Sequence, residues 1–404
     1  MTLHRLTSSL RTAQLHETLA RAKEMAAGLG ISRVTETTWL DVVGIPVFAG
    51  IRPDAVAGSL CVSAGKGSRP EEARVGAYLE AIELAVSEYR RRHVDVVMST
   101  PRAVAGQAGS AFEFVDLCPR LGRQVDPDGP LACVRAEEIS TGTRVLLPAE
   151  LVFFPYGEDD GQLVFGSGTT GLASGNTVDE ATVHALAEVI ERDVCTFNLV
   201  RDASRHVVFD RPEGVVGGLL EKVRAAGLRC AVRCTDSVFG LPHFEAYLME
   251  PSDETRPAIA VGSGLHPLRD VAAVRAVSEA AQSRLTAIHG GRDDLLDRYD
   301  HFARFGEERE LAATARLRAR VSDTSRSIRY EDVPEGPDLR DLGQALAHLI
   351  GALRRGGVEQ VFRVVLSAPD APLAVVRLVV PRMESFHPST RRVGPRLAAA
   401  LGKR

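Results

Sequence analysis

Three stretches of the chain repeat one helical phrase: EARVGAYLEAIE from Glu72, EATVHALAEVIER from Glu180 and VAAVRAVSEAAQ from Val271. Each copy has one alanine (Ala73, Ala181, Ala272), a second four residues on (Ala77, Ala185, Ala276) and a glutamate three after that. Three further on stand Glu83, Glu191 and Gln282. Residues three or four apart share a helix face, so each copy carries a small-residue stripe beside a pair of acceptor groups. Two of the copies supply Glu80, Glu83, Glu188 and Glu191. Four carboxylates brought together repel unless cations sit among them. If these four converge, the pattern therefore points to a site for divalent metal and phosphate.

The alanines recur at intervals of 108 and 91 residues, far longer than the period of a solenoid repeat. Each copy follows apolar strand-like runs. The predicted fold class is α+β, built from about three repeated α/β modules around one site. With 45% hydrophobic and 25% charged residues, the composition is that of a globular protein with ample core. No linker rich in Pro, Gly or Ser divides the chain, so residues 1–404 are taken as one domain. A formal net charge of −4 gives no support for nucleic-acid binding. No apolar run approaches the ~20 residues of a membrane span, and MTLHRLTSSLRTAQ lacks the apolar core of a signal peptide. Six scattered cysteines fit a reducing compartment, and a cytoplasmic location is expected. Cys230 and Cys234 form a CxxxC inside an apparent strand and read as core filler.

Periodicity predicts helices over 13–29, 70–91, 178–200, 214–226, 268–289 and 340–355. It predicts strands over 46–52, 59–64, 131–137, 144–147, 151–154, 162–165, 229–234, 244–250, 257–263, 360–366 and 373–380. The segment 101–130 reads as a surface excursion, and 302–338 as a polar stretch. Two helix starts carry capping boxes, Ser68 to Glu71 and Thr177 to Glu180.

A single ExxE pair is usually a solvated helix face. Two in matching frames on Ala-rich helices are not explained that way, because Glu is rarely buried unpaired. Glycine-rich turns precede both glutamate helices: Gly65-Lys66-Gly67, and Gly171 through Gly175-Asn176-Thr177. Glycine lets backbone approach closely and a helix N-terminus favours anions, so Lys66 can meet phosphate as a point charge. An exposed lysine in an ordinary turn is the equal alternative. Arg192, Arg275 and Arg284 can give charge-assisted contacts to carboxylates and phosphates, against the alternative of surface arginines. His184, four before Glu188, joins the same face, although a lone helix histidine is more often a packing residue. Two nucleotide motifs fail. A Walker A loop needs Gly where Leu60 stands and Ser or Thr where Gly67 stands. Gly166-Ser-Gly168-Thr-Thr-Gly171 satisfies GxGxxG, but its helix does not open within the motif. No catalytic triad is evident.

At these residues the chain resembles the YcaO family. The likeness rests on GKG at 65–67, the helix bearing Glu80 and Glu83, GLASGNTVDEATVHALAEVIERD over 171–193, RAVSEAAQSR over 275–284 and GGRDD at 290–294. The resemblance implies use of ATP and Mg2+ to activate a peptide backbone amide: a nucleophile adds to the amide carbon, the amide oxygen is phosphorylated, and phosphate leaves. An internal Cys, Ser or Thr gives an azoline (from Cys, a thiazoline), an amine gives an amidine, and external sulfide gives a thioamide. It implies Glu80, Glu83, Glu188 and Glu191 as Mg2+ ligands, and Asn176 and Arg192 as nucleotide contacts. Arg11 and Thr18 match the spacing of an N-terminal nucleotide-contacting pair. Gly76 stands where many members have Ser, and VVPRME at 379–384 departs from a common VVPGLE at Arg382 and Met383.

Members that work with a separate peptide-binding partner commonly end in PxPxP. HPSTRRVGPRLAAALGKR lacks that motif, so the resemblance is to standalone members. The expected substrate is a ribosomal precursor peptide, and the expected product an azoline or amidine. The alternative is a thioamide made with a TfuA-like sulfide-delivering protein. A homodimer is left open. The rival from another class is a peptide-binding scaffold without catalysis, against which the four intact glutamates argue.

Overall fold

A computed structural model describes residues 3–157, 161–253, 257–292 and 306–402. The helices are α1 (Leu15–Ala27), α2 (Pro70–Ser87), α3 (Pro101–Gly106), α4 (Val178–Val200), α5 (Gly214–Ala225), α6 (Arg269–His289), α7 (Glu307–Ser322), α8 (Leu342–Arg355) and α9 (Pro395–Leu401). The strands up to the second repeated helix are β1 (His4–Arg5), β2 (Leu10–Arg11), β3 (Arg33–Glu36), β4 (Val47–Ile51), β5 (Val62–Lys66), β6 (Val96–Ser99), β7 (Leu131–Glu138), β8 (Arg144–Pro148) and β9 (Leu172–Gly175). Beyond it come β10 (Ser204–Val208), β11 (Arg229–Thr235), β12 (His243–Met249), β13 (Ile259–Leu265), β14 (Ser327–Arg329), β15 (Phe362–Val365) and β16 (Ala374–Val379).

Two units divide these elements, interleaved along the chain. One comprises Met1–Ala55, Leu60–Ala81 and Ala203–Arg340. It holds the pair β1-β2, the antiparallel sheet β3-β4-β5 and the five-stranded sheet β13-β12-β11-β10-β14. Its core sits where α5 and α6 cover the larger sheet, with Val207, Leu219, Val232, Phe244, Ala276 and Val277 buried together. The other comprises Val56–Ser59, Ile82–Asp202 and Asp341–Arg404. Its sheet runs β6-β7-β15-β16-β9, with β8 on β7, and α4 packs on β9 and β16 and against α8.

The alanine stripe explains how the repeated helices dock. Each follows an edge strand of its sheet: α2 follows β5, α4 follows β9 and α6 follows β13. On each strand a glycine lies against the helix. A Cβ on Gly65 would collide with Ala77 N and Ala73 O, one on Gly175 would lie 2.6 Å from Ala181 N, and one on Gly264 would collide with Ala272 O. Bare strand backbone thus meets bare helix backbone, a separation only Gly and Ala permit. The recurrence stops there. The sheets behind the three strands have three, six and five strands in different orders, so they are not three equivalent modules.

Helix starts follow local chemistry. Thr177 Oγ1 accepts from Glu180 N at 3.1 Å, the expected cap. At α2 the anchor is Glu72, not Glu71. Its carboxylate accepts from Ser8 Oγ (2.9 Å) and Arg69 Nε (3.1 Å), while Ser68 Oγ pairs with Thr7 Oγ1.

Several expectations are corrected. Neither 151–154 nor 162–165 is a strand. Glu150 is buried, and its carboxylate accepts from the N–H groups of Val164, Phe165 and Gly166 at 2.7, 2.9 and 2.5 Å. A side chain there does what a neighbouring strand would do. Segment 101–130 is not an excursion, since it buries Val104, Phe112 and Leu117 and sets Phe112 edge-on to Phe362 at 5.6 Å. Within 302–338, α7 forms, with Leu317 and Val321 packed on Ala231, Tyr247 and Met249. Residues 302–305 of that stretch, and Asp293 and Asp294 of GGRDD, lie outside the described residues. Cys230 and Cys234 sit on β11, where burial pushes both thiols up to about 12. They are filler, as read. No helix among the described residues is long and apolar enough to cross a membrane.

The close approach at Gly65 gives a direct test. Gly65→Ala is expected to destabilise the protein by about 2–3 kcal/mol through overpacking, seen as a lower thermal midpoint. Gly168→Ala, with open space around its Cβ, is expected to change stability by no more than ~0.5 kcal/mol.

Candidate functional site

The acids on α2 and α4 meet the same short run of backbone. Glu83 Oε1 accepts from Ser174 N at 2.8 Å and from Ser174 Oγ at 2.6 Å. Three residues earlier, Gly171 N donates to Glu188 Oε2 at 3.1 Å. Gly171 has φ of 81°, a left-handed turn that glycine adopts without strain. The loop read as a false GxGxxG thus ends in the backbone that receives the two glutamates.

Glu191 lies one turn along α4 and is 2% exposed. Burial pushes the Glu188 carboxyl above the usual carboxylate range; Arg192 pulls it back most, and the neighbouring Glu191 charge pushes it up again. Arg192 Nε stands 3.5 Å from Glu188 Oε1, with its side chain 43% exposed. Buried acids in such surroundings are held neutral by protons or by cations. Glu80 is three before Glu83 on α2 and half-buried. Among the described residues, no three His, Cys, Asp or Glu side chains are gathered closely enough to hold a metal alone. Mg2+ characteristically combines one or two carboxylates with waters and phosphate oxygens, so paired acids fit an ion carried with a phosphate group.

Sequence reading missed Glu180. It is fully buried, and Asn176 Nδ2 donates to its oxygens at 3.1 and 3.2 Å. The capping box assigned the Glu180 side chain to the Thr177 backbone, whereas in the structure its carboxylate holds the Asn176 amide. His184 is half-buried on the same helix.

The third copy is built differently. Glu279 occupies the place of Glu188 and takes an ion pair from Lys66 Nζ at 2.6 Å. Gln282 occupies the place of Glu191, and its Nε2 donates to Ala64 O at 2.8 Å. A carboxylate cannot donate that bond, which accounts for the amide there. Lys66 is therefore the cation of the third copy and not a spare charge for phosphate. Arg284, read as a nucleotide contact, is 6% exposed and tied to Asp41 (3.0 Å) and Glu250 (2.8 Å). A buried ion pair of this kind holds structure. Thr18, read likewise, is fully buried, and its hydroxyl closes on Gln14 O at 3.1 Å within α1. Arg11 is half-buried on β2. Arg275 is half-buried on α6, and its Nε has no hydrogen-bond partner among the described residues.

Residues 64–384 match the family model described as YcaO cyclodehydratase, ATP- and Mg2+-binding. The chain belongs to the YcaO family. An uncharacterized protein of Methanothermobacter thermautotrophicus is 32% identical over 388 residues, covering 95% of this chain and 98% of the relative. An uncharacterized protein in the tfuA 3′ region of Rhizobium leguminosarum bv. trifolii is 28% identical over 379 residues, covering 91% of this chain and 87% of the relative. The fold is similar to YcaO from Methanopyrus kandleri bound with AMPPCP and Mg2+, with a TM-score of 0.76, 23% identity and 98% of each chain covered. The mixed helix-and-sheet architecture is thus a YcaO fold, and the YcaO family is an ATP-dependent one whose cofactors are ATP and Mg2+.

The Lys66–Glu279 pair yields a second test. Lys66→Met leaves a partly buried carboxylate without its donor and is expected to cost about 1–2 kcal/mol. Lys66→Met with Glu279→Gln is expected to recover at least half of that loss in thermal melting.

Proposed function

We propose that the protein activates a backbone amide of a peptide by ATP-dependent phosphorylation of the amide oxygen, so that a nucleophile replaces that oxygen. The observation that carries this reading is the anchoring of Glu83 on β9 and of Glu188 on the residue just before β9, three residues apart, with Glu191 buried on the same helix as Glu188. Mg2+ and ATP, when bound, supply the phosphoryl group and neutralise charge on its oxygens. Glu83, Glu188 and Glu191, with Glu80 one turn before Glu83, hold the cations. Ser174 and Gly171 fix two of these carboxylates. Asn176, oriented by Glu180, presents an amide to the nucleotide, and the guanidinium group of Arg192 complements phosphate charge.

Phosphoryl transfer asks mainly for positioning and charge neutralisation. The nucleophile comes from the substrate or from outside, so no side chain of this chain attacks. The matched description, a cyclodehydratase, supports an internal nucleophile of a ribosomal precursor peptide and an azoline or amidine product. A second reading has a specific support, the relative in the tfuA 3′ region. It gives sulfide delivered by a TfuA-like partner, and a thioamide.

The test is the mass of a precursor peptide encoded beside this gene after incubation with ATP and Mg2+. Loss of one water marks cyclodehydration. Exchange of one oxygen for sulfur, dependent on sulfide, marks thioamidation. Glu191→Gln is expected to lower either product on the order of 100-fold. An unchanged mass across candidate peptides, with and without sulfide, contradicts the proposal and favours a binding scaffold.

A further inference from the structure

The helix that carries Glu188, Glu191 and Arg192 is gripped on its other flank. Asp193 is 1% exposed, and its carboxylate is shared by two groups of the segment after β16. Glu384 N donates to Oδ2 at 2.8 Å, while Arg396 Nη1 and Nη2 reach Oδ2 and Oδ1 at 2.6 and 3.2 Å. One turn further along α4, Thr196 Oγ1 accepts from Phe386 N at 3.0 Å, and the Arg396 guanidinium lies over the Phe197 ring at 4.8 Å.

The segment is closed on itself. Glu384, 1% exposed, accepts from Gly394 N at 2.8 Å and from Leu397 N at 2.9 Å, which joins the two ends of the loop 384–397. Arg396 Nη1 also donates to Arg382 O at 2.9 Å. Arg382 has φ of 70°, the left-handed region that favours glycine. It stands where the common family pattern has Gly, and the conformation is kept although the side chain has changed.

We propose that residues 382–397 form a latch that fixes the roll of α4, with Asp193 and Arg396 as positioning residues for Glu188, Glu191 and Arg192. An aspartate has one methylene between its carboxylate and the main chain, so a bidentate hold on Asp193 is a hold on the helix backbone itself. Successive residues of a helix are turned by about a third of a circle. Asp193 therefore faces away from Glu191, and a small rotation released at one displaces the other. Displacements near 1 Å can cost on the order of 100-fold in rate. The inference rests on the metal–nucleotide reading given above.

The test uses the full chain and Mg2+–AMPPCP, with binding measured by calorimetry well below the melting temperature. Arg396→Leu and Asp193→Asn are expected to weaken binding on the order of tenfold. Arg396→Lys, which keeps the charge but not the two-pronged hold, is expected to restore only part of it, and the milder Thr196→Val to weaken it about threefold. A latch that only stabilises the fold would lower the melting temperature and leave affinity unchanged. That result in Arg396→Leu, or in Thr196→Val if Arg396→Leu does not fold, overturns the proposal. If the wild-type protein binds no Mg2+–AMPPCP, the nucleotide reading fails and the latch with it. If the wild type binds and the latch variants bind equally, only the latch fails.

Discussion

Everything at the candidate site depends on how closely an edge strand can lie against the helix that follows it. Gly175 faces Ala181, as Gly65 faces Ala73 and Ala77. With any side chain at the strand position, helix and strand would be forced apart. The same stretch, β9 with Gly171 just before it, presents Ser174 N and Gly171 N to carboxylates from two helices. Backbone packing and acid placement are consequently one constraint. The small residues bring the acids to their donors, and the acids give those amides acceptors that no further strand supplies.

Charge then divides the three similar helices. In the first two, buried or half-buried carboxylates come in pairs, and burial raises Glu188 above its ordinary range. In the third, Lys66 provides a resident cation for Glu279, and Gln282 converts the second acid into a donor. The third helix thus has a lysine ion-paired to its first acid and an amide in place of its second, while the first two keep both acids. This difference, and not the repetition alone, is why the metal is proposed to sit on the acids of α2 and α4.

Much of this was legible in the sequence because short-range chemistry sets it. The 3.6-residue period located α2, α4 and α6, and the Thr177 cap fixed the start of α4 to the residue. The acids were found because ExxE on an alanine-rich face has no packing explanation. What escaped depends on distant partners. LASG of β9 has no β-branched residue to mark a strand, and it becomes one only by pairing with Ala374–Arg377. The N–H groups of 164–166 look free for a ladder until Glu150 takes them. Lys66 reads as an exposed turn lysine because Glu279 lies far along the chain. Arg284 reads as a phosphate-facing arginine for the same reason, its acids being Asp41 and Glu250. Glu180 was visible but had already been assigned to its backbone cap.

The central claim is that the acids of α2 and α4 hold divalent ions together with a nucleotide. Crystals grown with Mn2+ and AMPPCP test it most directly, since Mn2+ scatters anomalously. The account expects anomalous peaks about 2.0–2.3 Å from carboxylate oxygens of Glu83, Glu188 and Glu191, adjoining the nucleotide phosphates. Bound nucleotide with no peak at these carboxylates, or peaks only elsewhere, would contradict it.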